Sequence, residues 1–418
     1  MRVFKFGGAS VKDAAGVQNV VRVLQTVGHT ETLIVISAMG KTTNALEEVV
    51  ASYRNGDTSE LAYKINAIQK NHEQIISDLF GTDKEDVLQK VVALFEELRT
   101  ILARNKSPKY DYLYDQVVSF GELISTIIVN AYLVQQGLGS QWLDARQCIK
   151  TDNTYRDAGV DWELTKAHIR QHVQEGQLYI TQGFIGSDPN NFTTTLGREG
   201  SDYSAGIFAY CLGAESVSIW KDVPGVLNGD PRVFDNTELL HHISYEEAIE
   251  LAFYGASVIH PKTLQPLQRK EIPLHVKSFV NPKDDGTAVR KGQALEPHIP
   301  CYIVKKNQVL LSLSTRDFSF VVEENISELF NHFHRYQMKV DLIQNSAISF
   351  SVCIDNKFSH LDTLLEQLNE KFLVSCTKDV SLYTIRHYTP EAIANFEQGK
   401  DIRLKQLTTE TYQVVVKT

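Results

Sequence analysis

Residues 1–10 read Met1-Arg2-Val3-Phe4-Lys5-Phe6-Gly7-Gly8-Ala9-Ser10, and this stretch decides the fold. A short apolar run carries one lysine and then breaks into two glycines. On a strand, alternation puts Phe4 and Phe6 on one face and Val3 with Lys5 on the other. A lysine in a buried strand is unfavourable unless an anion meets it. Gly7 and Gly8 let the backbone approach a ligand without Cβ interference. Ser10 is placed to cap a helix starting near Lys12 or Asp13, whose free N–H groups favour an anion. A cation, a Gly-Gly turn and a helix N-terminus on one spot describe a phosphate site. The other reading is an ordinary βα turn whose lysine snorkels to solvent, and this stretch alone does not choose between them.

The remaining 408 of 418 residues must supply the context. A chain of this length implies two or three domains, each with its own core. A net charge of −9 with no dense Lys/Arg stripe argues against a nucleic-acid partner held by bulk electrostatics. The five cysteines are scattered and form no C-x-x-C pair, which fits inert thiols in a reducing compartment and gives no zinc site. No secretory signal is visible, and no apolar run is read as reaching the ~20 residues of a membrane span. The expectation is a cytoplasmic protein without a membrane partner.

After a helix over 13–27, residues 32–36 (Thr-Leu-Ile-Val-Ile) read as a fully buried strand. It runs into Ser37-Ala38-Met39-Gly40-Lys41-Thr42-Thr43-Asn44 and a helix over 45–53. Gly40-Lys41-Thr42 mimics the end of a Walker loop, but Val35 stands where that motif needs its first glycine. What remains is a polar turn at the carboxyl edge of a parallel sheet, where ligands sit. Residues 59–105 read as a helical pair broken near Gly81. A further helix over 113–136 holds Ser119-Phe120-Gly121-Glu122-Leu123. Glu122 is either exposed beside the apolar stripe or buried with a partner, and the helix alone favours exposure.

Strands over 141–144 and 178–181 flank a helix over 162–174. The stretch Thr193-Thr194-Thr195-Leu196-Gly197-Arg198-Glu199-Gly200-Ser201-Asp202 follows. Arg198 between glycines can offer its fork to a carboxylate or phosphate. Ser201-Asp202 reads as a cap opening a helix over 203–212, although a cap needs neither the arginine nor the threonines beside it. A strand over 216–220 delivers the Pro-rich loop with Lys221, Asp222 and Arg232. A helix over 245–253 and a strand over 273–277 complete an alternating series, which predicts an α/β fold with an open, mostly parallel sheet between helices. Residues 281–293 read as the domain boundary. Beyond it the order β-α-β-β-α has ferredoxin-like topology. Strands over 381–386 and 412–416, with little helix between, suggest a second, abbreviated copy.

Three of these stretches together resemble the aspartate kinases of the amino-acid kinase superfamily: residues 5–11, residues 193–202, and Asp222-Val223-Pro224-Gly225 with Asp230-Pro231-Arg232. Residues 37–44, 119–123 and 181–186 fall in that family's order too. The resemblance covers residues 1–290 as a kinase domain, and residues 300–418 look like tandem ACT-like modules, the second truncated. It implies ATP-dependent phosphorylation of L-aspartate to 4-phospho-L-aspartate with Mg2+, in a homodimer joined through the ACT modules.

Carried over residue by residue, the resemblance makes Lys5 and Asp202 catalytic. Thr43, Glu122, Thr195, Arg198 and Ser201 would bind substrate. Lys5, Gly7, Gly8, Ala9, Lys221, Asp222, Leu227, Arg232, Ser257 and Val258 would bind ATP. Ser257 replaces a lysine common in the family, which Lys221 or Lys262 could offset; Leu227 replaces an aromatic, and Glu199 a glycine. Asp341, Asn345 and Ser346 fall where relatives hold an amino-acid effector, while a module that only dimerises is an equal reading. The alternatives are a kinase for another small acid, such as glutamate or acetylglutamate, and a sensor that keeps the fold without turnover.

Overall fold

The computed structural model describes residues 1–256, 259–317, 319–357 and 360–417. They form two compact units, and the chain passes between them more than once. The first unit takes Met1–Val226, Leu239–Ile249 and the chain from Ile259 to Glu296; the second takes Leu227–Glu238, Glu250 to Ala256, and the chain from Pro297.

Up to residue 296 the strands are β1 Arg2–Phe6, β2 Thr32–Ile36, β3 Gln141–Leu143, β4 Leu178–Gln182, β5 Ile185–Ser187 and β6 Thr193–Thr195. They continue with β7 Ser216–Lys221, β8 Val226–Leu227, β9 Leu239–Leu240, β10 His242–Ser244, β11 Leu274–Ser278 and β12 Thr287–Arg290. The helices are α1 Ala14–Val27, α2 Thr42–Arg54, α3 Thr58–Phe80, α4 Glu85–Arg104 and α5 Tyr110–Gln135, then α6 Ala145–Cys148, α7 Trp162–His172, α8 Gly200–Leu212, α9 Tyr245–Tyr254 and α10 Pro261–Lys270. Eight strands make one sheet in the order β10-β12-β11-β7-β1-β2-β4-β3. Every neighbouring pair is parallel except β11 with β12. β12 lies inside the stretch expected to be linker. Its Thr287, Ala288 and Val289 are buried in the sheet, and the flanking Pro, Gly and Asp residues are only its turns.

β1 runs through the middle of this sheet, between β2 and β7. Phe4 and Phe6 pack against Trp220 with ring centroids 5.6 and 6.0 Å apart. The same core takes Val17, Val20 and Leu24 from α1 and Val117 and Ile124 from α5. Each such side chain contributes roughly 1.5–3 kcal/mol by leaving water. The pleat therefore turns Lys5 to the opposite face, toward α8. α5 is long and apolar enough to cross a membrane by length and composition, contrary to expectation, but 78% of its apolar window is buried inside the fold. It is the core helix of this unit.

The second unit's main sheet contains β13 Cys301–Thr315, β14 Lys339–Asn345, β15 Ser349–Asp355, β16 Phe372–Arg386, β17 Asp401–Leu407 and β18 Thr411–Lys417. Its helices are α11 Glu323–Arg335, α12 Leu361–Lys371 and α13 Pro390–Glu397. The six strands form one antiparallel sheet in the order β14-β15-β13-β16-β18-β17. β13 and β16 are long enough to serve two β-α-β-β modules side by side, with a register shift between Lys305 and Gln308 dividing them. The first module has two helices, α11 and α12; the second, among the described residues, has only α13. α13 and β17 occupy the stretch expected to hold little helix. Thr389 caps α13 by accepting from Ala392 N–H, and Pro390 stands at its first turn.

Candidate active site

The carboxyl end of β1 opens directly into a short 3-10 turn, Gly8–Val11. Lys5 Nζ lies 2.6 Å from Asp202 Oδ1, and both side chains are nearly buried, 11% and 5% exposed. A buried pair of this kind is a large desolvation liability unless further groups complete it. Beside it, a Cβ on Gly8 would stand 2.7 Å from Ala38 O and 2.8 Å from Gly40 O. Only glycine fits there, and Gly40 N–H donates to Gly8 O at 3.0 Å, locking the two turns together. Ala9 at the turn is exposed and Gly7 and Gly8 are half-buried.

Two caps differ from the expectation. Asp13, not Ser10, caps α1, accepting from Gly16 N–H at 2.8 Å. Ser10 is buried and its hydroxyl points to Trp220 O, at 3.5 Å. At α8 the capping position is Glu199 in the left-handed region, without a side-chain cap bond. Asp202 sits inside the first helical turn. Its carboxylate turns to Lys5 rather than to the helix's own N–H groups. Ser201 is half-buried, its Cβ and Oγ filling the space above Gly183.

Glu122 is buried, 2% exposed, against the exposure that the helix pattern alone favoured. The reason is Gly121: a Cβ there would stand 2.9 Å from Ala38 Cβ, so α5 lies directly on the turn after β2. Ala38 N–H reaches Glu122 Oε1 at 3.4 Å, while Oε2 has no partner. Burial pushes the Glu122 carboxyl up to about 8, with Ala38 N–H and the Thr43 hydroxyl pulling it back. A buried carboxyl with an open oxygen is suited to receive a cation.

Thr195, expected as a hydroxyl donor to substrate, gives that proton to Asp115 Oδ1 at 2.8 Å. Sequence reading missed Asp115, a fully buried carboxylate on α5. Its only signal was a charge seven residues before Glu122, two turns up an otherwise apolar helix. Arg198 is exposed, with no ion pair or side-chain hydrogen bond among the described residues. Its fork is available.

The structure thus brings Lys5, Gly7, Gly8 and Asp202 together, with Thr43 at the start of α2 and Glu122 of α5 against the adjoining turn at Ala38. Lys221 ends β7 in register with Ser278 of β11, and its carbonyl accepts from Phe279 N–H at 2.9 Å. Asp222 is exposed beside it. Leu227 and Arg232 belong to the second unit, and the Arg232 fork is turned onto Asp230 at 2.7 Å. Ser257 and Val258 lie outside the described residues. Lys262, a possible substitute cation, pairs with Asp157. In the second unit Asp341 is buried against Lys305 at 2.7 Å, while Asn345 and Ser346 are exposed.

Residues 1–278 match the model of the amino acid kinase family. Over 371 residues the chain is 33% identical to lysine-sensitive aspartokinase 3 of Escherichia coli, covering 87% of this chain and 81% of that protein. The chain belongs to the amino acid kinase family. Its relatives within the family are aspartokinases: it is also 31% identical to aspartokinase 1, chloroplastic, of Arabidopsis thaliana, over 92% of this chain and 70% of that one. Among solved structures, E. coli aspartokinase III in complex with lysine and aspartate superposes with a TM-score of 0.83 at 29% identity, covering 100% of this chain and 96% of that one. The same enzyme with aspartate and ADP gives 0.83 at 27%. The fold class read from the sequence is the fold of these kinases, and the chain is a kinase.

Proposed function

We propose that the chain catalyses ATP-dependent phosphorylation of the side-chain carboxylate of L-aspartate, giving 4-phospho-L-aspartate and ADP, the entry step to lysine, threonine and methionine. The observation that carries this reading is the buried Lys5–Asp202 pair in its glycine cradle beside Glu122, which keeps one oxygen open. The aspartokinase relatives support it.

In the proposed reaction a β-carboxylate oxygen of aspartate attacks the γ-phosphorus. The bond from that phosphorus to the β,γ-bridging oxygen breaks, and its electron pair leaves on ADP. A carboxylate is already a nucleophile, so no general base is needed. Lys5 neutralises charge on the group in transfer and Asp202 holds its ammonium in place. The backbone at Gly7, Gly8 and Ala9 would stand close to the phosphates. The Arg198 fork takes the substrate α-carboxylate, and Glu122 the α-ammonium, with Thr43 and Ser201 as hydroxyl donors. Thr195 acts through Asp115. An acetylated amine carries no charge for Glu122, which sets aspartate above acetylglutamate.

Lys221, Asp222, Leu227 and Arg232 remain the proposed nucleotide contacts. Mg2+ would be held mainly by the nucleotide phosphates and would supply charge neutralisation there, with Asp222 the nearest proposed carboxylate in sequence to Lys221. The chain functions as a cytoplasmic homodimer through its C-terminal modules, with neither nucleic acid nor membrane as partner. The kinase domain is assigned to 1–290 and the regulatory region to 300–418. A hydroxamate-coupled assay with ATP and aspartate, glutamate or acetylglutamate tests the reading. Turnover with aspartate is expected; turnover only with another acid, or none, overturns it.

A further inference from the structure

We infer that Asp115 is a positioning residue for the substrate clamp, tying the 156–158 loop to the end of β6, the segment that leads into Arg198. The inference rests on the proposed role of Arg198. Asp115 Oδ2 accepts from Thr195 N–H at 2.8 Å and Oδ1 from the Thr195 hydroxyl at 2.8 Å. The same carboxylate accepts from Arg156 N–H, at 3.0 and 3.2 Å to its two oxygens. Ala158 N–H then donates to Thr195 O at 2.9 Å, closing the loop onto the strand. One buried carboxylate therefore joins α5, the 156–158 loop and the end of β6. Two residues later the chain turns at Gly197, which packs against Arg156 O and Asp157, and presents Arg198. Leu196 N–H is bound to Phe184 O at 2.9 Å, so little slack separates the tie from the clamp.

The tie is strongest in the ionised form, because the two N–H groups can only donate and a carboxylate accepts more strongly than a protonated carboxyl. No cation is within ion-pair distance of Asp115 among the described residues. Arg156 lends some charge, but its guanidinium sits over the Tyr114 ring at 4.4 Å and reaches Asp111 at 3.6 Å and Glu47 at 3.9 Å. Tyr114 on the same helix and Tyr155 on the loop are the other titratable groups near it. With mainly neutral donors to offset burial, the Asp115 carboxyl is pushed up to about 6. The sign follows: a carboxyl raised in the fold lowers stability while ionised, so Asp115 serves position at the expense of stability.

Steady-state kinetics of the full chain with Mg·ATP test this. Wild-type turnover of aspartate first establishes the reaction; without it the kinase reading fails, not the tie. Asp115→Asn should keep the melting temperature of the wild type or raise it. The KM for aspartate should rise about tenfold or more, since a neutral amide accepts the two N–H groups less strongly than a carboxylate and meets the Thr195 hydroxyl only if that hydroxyl reverses, while kcat changes far less. The wild-type KM should climb as pH falls through about 6, and the Asp115→Asn profile should be flat there. Thr195→Val should raise KM too, and the double variant should be no worse than the weaker-binding single one. A wild-type KM in Asp115→Asn, or a pH profile identical to wild type, overturns the inference, as does full additivity of the two substitutions.

Discussion

Two buried lysine–aspartate pairs, one in each unit, look alike at the level of distance. Lys5–Asp202 is 2.6 Å, with 11% and 5% exposure; Lys305–Asp341 is 2.7 Å, with 16% and 3%. Their surroundings differ. Lys305 also donates to Phe253 O at 3.1 Å, and Asp341 takes a second ammonium, Lys339, at 3.4 Å. Lys5 has no second partner among the described residues, and glycine backbone lies next to it instead. Burying two charges costs more desolvation than their attraction returns unless other bonds complete them. The second pair is complete within its own unit. The first is incomplete, and a phosphoryl group would complete it. The pair alone does not mark a site; the unused hydrogen-bonding capacity around it does.

The largest effect should come from breaking the incomplete pair. Lys5→Met keeps the length of the stem and removes the charge, so turnover should fall by about a thousandfold or more at a temperature where the chain stays folded, and the melting temperature should drop as well because Asp202 is left buried without its lysine. A circular dichroism melt alongside the assay separates the two readouts. Activity within tenfold of wild type would mean that Lys5 does not touch the transferred group.

Glu122 gives the next effect, because on α5 it too carries unused capacity at its Oε2. Its carboxyl lies at about 8 in the fold against 4.5 when free. A raised carboxyl lowers stability once ionised in the unfolded chain, so the penalty is absent below pH 4.5 and grows until about pH 8. Glu122→Gln should therefore stabilise the protein at neutral pH, on the order of a few kcal/mol, as chemical denaturation would read. If Glu122 takes the α-ammonium as proposed, the same substitution should raise the aspartate KM by about a hundredfold. Loss of stability, or an unchanged KM, would show Glu122 to be a satisfied core residue.

How much of this was legible in the sequence follows the range of the interactions. The glycine turn after β1 and the central strands β1 and β2 come from local pattern, and the structure has them where they were read. For Lys5 the local pattern left two readings open, an anion or snorkelling to solvent, and the structure pairs it with Asp202. Glu122 was misjudged because its burial depends on Gly121 touching Ala38, a contact 83 positions apart that periodicity does not contain. Asp115 was missed for the same reason: its donors are 41 and 80 residues away. Ser10 was read as a cap because local rules favour caps, and a tertiary partner, Trp220, won instead; for Asp202 the local pattern offered a cap, while the family resemblance pointed to Lys5, which it meets. β12 lies in a segment whose Pro, Gly and charged residues read as linker, and it pairs with β11 and β10; α13 lies where little helix was expected, opened by a one-residue Thr389 cap too short to stand out.

The smallest effect on chemistry, and the sharpest control, is expected at the complete pair. Lys305→Met leaves Asp341 buried with only Lys339 at 3.4 Å, on a side chain that is 63% exposed. A buried carboxylate that loses its main partner destabilises by about 3 kcal/mol, and burial already holds the Lys305 ammonium below its usual range despite Asp341. The melting temperature should drop, while kcat at a temperature where the chain stays folded should remain within about twofold of wild type. Asp341 is also where the family resemblance places an amino-acid effector, and here an ammonium of the chain's own already sits on it. If lysine or threonine acts through Asp341 it must displace Lys305, so Lys305→Met should make inhibition by that amino acid tighter. Loss of inhibition in Lys305→Met would instead make the pair part of the effector's own site, and the two pairs would then be alike after all.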